Sequence, residues 1–126
     1  VDDPHIAAAV VVHAGRLLLI RRRVAEGSLS WTLPSGKVDA DESPQEAAVR
    51  ESFEEAGVVV EPVRFLGERT HPVSGRRVSY TACRLLSGTA HAASVREVAE
   101  VAWVARAEIP GGLYERVQAY LDEVLP

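Results

Sequence analysis

The chain has 126 residues, of which 47% are apolar and 25% charged, enough for a single domain over residues 1–126 with one core. A formal charge of −4 gives no general basic field to draw in duplex nucleic acid, and no apolar run reaches the length of a membrane span. The lone Cys83 excludes an internal disulfide, no Cys/His cluster suggests zinc, and the opening VDDPH does not read as a signal peptide, so a reducing cytoplasm is the expected setting. In chain order, Ile6–His13 reads as a buried strand, Ala14-Gly15 as a turn and Arg16–Arg22 as a second strand centred on Leu17 to Ile20. Val24–Ser30 is expected to be a loop. Trp31–Leu33 is a short strand stopped by Pro34, and Ser35-Gly36 supplies a turn.

A helix is well marked after that turn. Ser43 is the expected N-cap, Pro44 suits the first helical position, Glu46 completes a capping box and Gly57 stops the helix. Val49, Phe53 and Ala56 are expected to form its apolar stripe against a sheet. Val58–Val60 and Val63–Glu68 are strand material. Ser74-Gly75-Arg76 is a hairpin turn between Phe65–His71 and Val78–Leu86. Val98–Val104 is a further strand, and the apolar spacing in Leu113–Leu125 fits a closing amphipathic helix. These elements make an α/β sandwich the expected architecture.

The most informative stretch is GKVDADESPQEAAVRESFEEAGV, Gly36 to Val58. Glu51, Glu54 and Glu55 are three and four residues apart on one helix, so they are surface neighbours that repel unless neutralised. Hard divalent cations such as Mg²⁺ take oxygen ligands and are commonly held by one or two carboxylates plus substrate phosphates. The pattern therefore points to metal-dependent phosphate chemistry. A solvated glutamate face is the plain alternative for three carboxylates alone, but it does not account for Gly36, Glu42, Arg50 and Gly57 at fixed spacing.

Gly36, five residues, Glu42, seven residues, Arg50-Glu51, two residues, Glu54-Glu55, one residue, Gly57-Val58: this series resembles the Nudix box of the Nudix hydrolases, which cleave nucleoside diphosphates linked to another moiety. Two positions depart from the pattern. Ser52 stands where the family has an aliphatic residue, and Ser35 replaces a glycine in the lead-in Trp31–Gly36. Ser52→Leu is expected to be neutral or stabilising if Ser52 borders the apolar face. The resemblance implies a Nudix-type α/β/α sandwich with a central mixed sheet and a catalytic helix following a glycine loop. The subgroup it most resembles is the MutT-like nucleoside triphosphate pyrophosphohydrolases.

The resemblance also implies roles. Glu51, Glu54 and Glu55, with the Gly36 carbonyl, would bind Mg²⁺ or Mn²⁺. Glu97 is the late-loop candidate for the base that takes a proton from water, with Glu100 as rival and the box glutamates as a further source. Arg50 would orient the box carboxylates through Glu46 and Glu54, its i±4 neighbours. Arg21, Arg22 and Lys37 are candidates for phosphate contact. Glu42 suits a dipole or turn role as well as a metal role. His71 reads as a loop bystander, Trp31 and Trp103 as core or pocket wall, Tyr80 as a strand residue and Cys83 as inert core. The expected partner is a small nucleotide, without duplex nucleic acid or membrane, and a homodimer fits the resemblance. The substrate expected is a (deoxy)nucleoside triphosphate, standard or damaged. ADP-ribose or a nucleotide sugar is the enzymatic alternative, suggested by Pro72, and a non-catalytic nucleotide sensor is the alternative of another class.

Overall fold

The computed structural model describes residues 5–26 and 29–126. In chain order the elements are β1 (Ile6–His13), β2 (Arg16–Glu26), β3 (Leu29–Thr32), β4 (Ser35–Lys37), α1 (Pro44–Ala56), β5 (Val59–Thr70), β6 (Arg77–Ser87), β7 (Val98–Val104), a 3₁₀ turn at Arg106–Glu108, and α2 (Glu115–Val124). The strands form one mixed sheet with the order β3-β2-β1-β6-β5; β4 also pairs with β1, and β7 with β2. β1 and β6 are parallel, and every other pair is antiparallel. The first hairpin closes on Ala14 (φ 50°) and Gly15 (φ 74°). Two positive φ values in a two-residue loop match the right-handed twist of the flanking strands.

Side chains alternate across the sheet, and each face packs against one helix. Ala8, Val10, Leu17 and Leu19 meet Val117 and Leu121 of α2 on one side. Ala9, Val11, Leu18 and Ile20 meet Ala48 and Ala56 of α1 on the other. This is the strand period of two acting on runs that are apolar throughout, as strands covered on both faces require. The result is the expected α/β/α sandwich. Among the described residues no helix is long and apolar enough to cross a membrane.

Three local expectations are corrected. β2 runs to Glu26 and β3 begins at Leu29, with Glu26 paired to Leu29, where a loop over Val24–Ser30 was expected; residues 27 and 28 lie outside the described set. Ser35 and Gly36 are strand rather than turn, opposite Ala8 and Ala7. There they satisfy backbone groups at the start of β1 that β2 does not reach. Phe53 is 59% exposed and does not join the apolar stripe. The buried arc of α1 runs instead through Ala47, Ala48, Ser52 and Ala56, with Glu51 and Glu55 beside them. Small side chains on α1 face small side chains on β1, which lets the helix lie close to the sheet.

Ser52 sits inside that contact, fully buried, and its hydroxyl donates to the Ala48 carbonyl at 2.8 Å. That bond within the helix satisfies a polar atom which burial would otherwise leave costly. Leucine at this position must push α1 off the sheet. Ser52→Leu is therefore expected to destabilise the fold by about 1–3 kcal/mol, the usual cost of overpacking. Urea unfolding checks this, and a midpoint equal to or above wild type would show that the contact has room to spare.

Candidate active site

α1 is fixed at both ends by its own sequence. Ser43 Oγ accepts from the Glu46 N–H at 3.0 Å, and the Glu46 carboxylate accepts from the Ser43 N–H at 2.9 Å. Gly57 (φ 70°) closes the other end, its N–H donating to the Phe53 carbonyl. Glu46 is thus spent on the cap and does not reach Arg50, contrary to the i±4 expectation.

The helix then turns two carboxylates inward. Glu55 is 2% exposed. Its Oε1 accepts from the Ser35 backbone N–H at 2.8 Å, and its Oε2 from Arg22 Nη1 at 2.9 Å. The other arm of Arg22 donates to the Ser35 carbonyl at 3.1 Å and the Ser35 hydroxyl at 3.0 Å. Ser35 thus clasps both members of the pair and, unlike the left-handed residues, has no positive φ. Glu51 lies against Gly36, where an added Cβ would stand 1.8 Å from Glu51 Oε2. A side chain here would displace the Glu51 carboxylate from this position.

Arg50 gathers the remaining acids. It forks onto Glu42 (2.8 and 2.9 Å) and donates to the Lys37 carbonyl at 2.8 Å. Its Nη1 bridges Glu51 Oε2 at 3.1 Å and Glu54 Oε2 at 3.2 Å. Glu42, whose role was open between turn and metal, is the principal partner of Arg50; it also accepts from the Asp39 N–H. The Arg50 hydrogen bonds hold the Glu42 carboxyl down at about 2, and the same contacts raise Arg50 further above its ordinary value. Burial, with Glu55 as a like charge, pushes Glu51 up to about 7. Burial also raises Glu55, against the pull of Arg22 and the Ser35 N–H, and Glu97 adds a further like charge.

These groups border a cleft of about 510 Å³ on the α2 side of the sheet, with Glu51, Glu55 and Gly36 at its rim and Glu97 also lining it. The volume is within the range of small-molecule sites. Arg22 and Lys37 line the cleft too. Glu54 is exposed and, among the described residues, is joined to the rim through Arg50. Arg21 and Glu100 pair with each other across β2 and β7, outside the cleft lining. Trp31 and Tyr80 are cleft walls, whereas Trp103 packs on the α1 face and meets the His13 ring at 5.9 Å. His71 lines the cleft, and its Nδ1 accepts from the Val73 N–H at 3.1 Å. Cys83 is buried, and that burial pushes its thiol up to about 12, out of reach of thiolate chemistry.

Arg69 and Arg76, on the β5–β6 hairpin, also face the cleft, and sequence reasoning did not single them out as site residues. Counting alternate positions from the core residue Leu66 misses Arg69, because the β5–β6 register shifts between Phe65 and Gly67; Arg76 lies in the turn between the two strands.

Among the described residues no three Asp, Glu, His or Cys side chains are gathered as a ready metal cage. The donor chemistry still fits a hard cation. Two buried carboxylates repel across the rim, and one guanidinium nitrogen already bridges Glu51 to Glu54 where a cation would relieve them. Mg²⁺ needs only one or two carboxylates when substrate phosphates complete its shell.

The profile of the NUDIX domain family matches residues 3–126. Over 63 residues the chain is 40% identical to Phosphatase NudJ from Escherichia coli K12; the match covers 50% of this chain and 41% of that protein. The fold superposes on a NUDIX hydrolase from Nitrosomonas europaea with a TM-score of 0.82, at 23% identity, over 98% of this chain and 72% of the other. It superposes on a MutT NUDIX hydrolase from Burkholderia pseudomallei with a TM-score of 0.74, at 26% identity, over 98% and 99% of the two chains.

Cation binding at Glu51 would be sensitive to pH. Its pKa rises from 4.5 to about 7, so in the metal-free protein the associated stability is intact below about 4.5 and is lost as pH climbs through about 7. Glu42 moves the opposite way, and its contribution is lost only as pH falls from 4.5 through about 2, well below this window. A divalent cation held by Glu51 would require that carboxyl ionised. The gain in melting temperature from saturating Mg²⁺ is therefore expected to be small at pH 6 and larger at pH 8, as read by a thermal shift series. A gain independent of pH would separate Glu51 from cation binding.

Proposed function

The chain belongs to the NUDIX domain family, and on that premise we propose that it is a divalent-metal-dependent hydrolase of a nucleotide diphosphate linkage. The reaction we assign is cleavage of a (deoxy)nucleoside triphosphate to the monophosphate and pyrophosphate. The observation that carries this reading is the pair of buried helix carboxylates, Glu51 and Glu55, set against the Gly36 notch at the rim of a nucleotide-sized cleft.

Glu51, Glu54, Glu55 and the Gly36 carbonyl are the proposed ligands of Mg²⁺, for which Mn²⁺ would substitute. When bound, the cation neutralises the phosphate oxygens and acidifies water. The chain's own groups do the rest. Glu97 lines the same cleft and is the proposed base; Glu100 is committed to Arg21 outside it. Glu97 takes the proton as the water oxygen bonds to phosphorus. The bridging P–O bond on the far side breaks, and its electron pair leaves with pyrophosphate. Arg50 and Arg22 are positioning residues, since both guanidiniums are occupied by carboxylates and backbone carbonyls. Lys37 lines the cleft with its backbone carbonyl tied to Arg50 and its ammonium left for a phosphate. Arg21, paired with Glu100, is not part of the proposed phosphate contact.

The test is product analysis with Mg²⁺ and a panel of triphosphates, ADP-ribose and a dinucleoside polyphosphate. Monophosphate plus pyrophosphate is expected from a triphosphate. Glu97→Gln is expected to lower kcat about a hundredfold or more, the scale of a lost general base, and Glu54→Gln to remove most turnover without unfolding the protein. Unchanged turnover of Glu54→Gln at saturating Mg²⁺ would contradict its role as a ligand. AMP and ribose 5-phosphate from ADP-ribose alone would move the chain to the dinucleotide-like substrates. Nucleotide binding without any product would make it a sensor.

A further inference from the structure

Arg69 is held unlike any other cation of the cleft. Its guanidinium lies 5.8 Å from the Tyr80 ring centroid and 5.2 Å from that of Tyr114. The two rings are themselves 5.1 Å apart. Its Nε donates to the Tyr80 hydroxyl at 3.3 Å. The Tyr114 hydroxyl donates to the Glu68 carbonyl, and Gly67 (φ 132°) makes room for it, since a Cβ there would stand 2.9 Å from that hydroxyl. The neighbouring acid, Glu68, is engaged by Arg77 at 3.0 Å, and among the described residues no carboxylate pairs with Arg69. A half-buried guanidinium is thus fixed by aromatic faces, lines the cleft and keeps both Nη groups free.

Its place relative to the reacting end follows from strand register. Lys37 lies opposite Ile6, Ile6 opposite Val78, and Val78 opposite Arg69. Three strand spacings of about 4.8 Å put the Arg69 backbone roughly 14 Å from that of Lys37, the neighbour of the Gly36 notch. A diphosphate seated at Glu51 and Glu55 is therefore served by Lys37, while Arg69 faces what the diphosphate carries. The strands between them contribute apolar lining, Ala8 from β1 and Val78 from β6, with Leu19 and Trp31 lining the same cleft. That lining suits a planar base.

We infer that Arg69 is a specificity-determining residue that reads the base, and that this cleft selects a 6-oxopurine nucleotide over an adenine nucleotide. The inference rests on the nucleotide-hydrolase reading above. A guanidinium has donors only, and its fork fits two adjacent acceptors. O6 and N7 of a 6-oxopurine supply them, whereas adenine places an amino donor beside N7. The tyrosine clamp removes much of the side-chain entropy before the ligand arrives, so the fork is pre-organised.

Inosine and adenosine triphosphates differ at C6, oxygen against amino, and make the decisive pair. The wild-type protein is expected to favour ITP over ATP in kcat/KM by about tenfold or more, the scale of one bidentate base contact. Arg69→Ala brings this ratio toward one, chiefly through KM for ITP. Arg69→Lys, which keeps the charge and loses the fork, does not restore it. A wild-type ratio near one overturns the inference. So does an equal loss for both substrates in Arg69→Ala, which would place the guanidinium on phosphate or sugar, and so does full rescue by lysine, which would make charge alone sufficient. Equilibrium dialysis with IMP and AMP separates this inference from the reaction proposed. An IMP preference lost in Arg69→Ala, with no triphosphate hydrolysed, would sustain base selection and overturn the hydrolase. Equal binding of IMP and AMP by the wild-type protein overturns base selection whatever the turnover.

Discussion

A carboxylate with almost no access to water, Glu55, is the constraint around which the rest of the site is built. Burying an ionised carboxyl is unfavourable by several kcal/mol unless hydrogen bonds and a counter-charge offset it. The Ser35 N–H and Arg22 supply both, and that requirement ties three separate elements together. Arg22 comes from β2, Ser35 from β4 and Glu55 from the last turn of α1. Ser35, a departure from the expected glycine, contributes its N–H, carbonyl and hydroxyl to this one contact. The substitution adds an acceptor where glycine would have had none.

The second row of charges is organised differently. Glu51 has no strong partner of its own, only a share of Arg50, whose fork is spent mainly on Glu42. Glu42 consequently stays ionised far into acid while Glu51 is pushed toward neutrality. Two acids nine residues apart thus behave oppositely: Glu42 is a fixed anchor for the arginine, and Glu51 is held close to neutrality by burial. The close fit of α1 on β1, made by alanines and Ser52, is what brings Glu51 to the glycine notch at all.

Much of this was legible from residues in order. The helix cap, the glycine stop, the hairpin at Ser74–Arg76 and the strands Ile6–His13 and Val98–Val104 depend on neighbours in sequence, and local chemistry decides them. The carboxylate spacing was readable for the same reason. What escaped was set by tertiary contacts. Phe53 has the apolarity of a core residue, but the helix rolled toward its small side chains, a choice made by packing volume. Ser35 and Gly36 read as a turn because glycine and serine favour one, yet an unpaired stretch of β1 drew them into the sheet. Arg50 chose Glu42, eight residues away and off the helix, over the i−4 neighbour already engaged in the cap. Arg69 was hidden by the register shift between Phe65 and Gly67, which breaks the alternation counted from Leu66.

The connection between β6 and β7 carries one more implication. The His91 and Ala93 N–H groups donate to the Ala56 and Glu55 carbonyls at the end of α1, and the Glu97 carbonyl accepts from the Arg23 N–H beside Arg22. Those bonds stitch the segment bearing Glu97 to the same two elements that hold Glu55. The backbones that carry these two acids, both lining the cleft, are therefore the jaws of one caliper, their spacing set by main-chain bonds. Side chains on the far wall of the cleft can therefore change without disturbing the bonds that set this spacing.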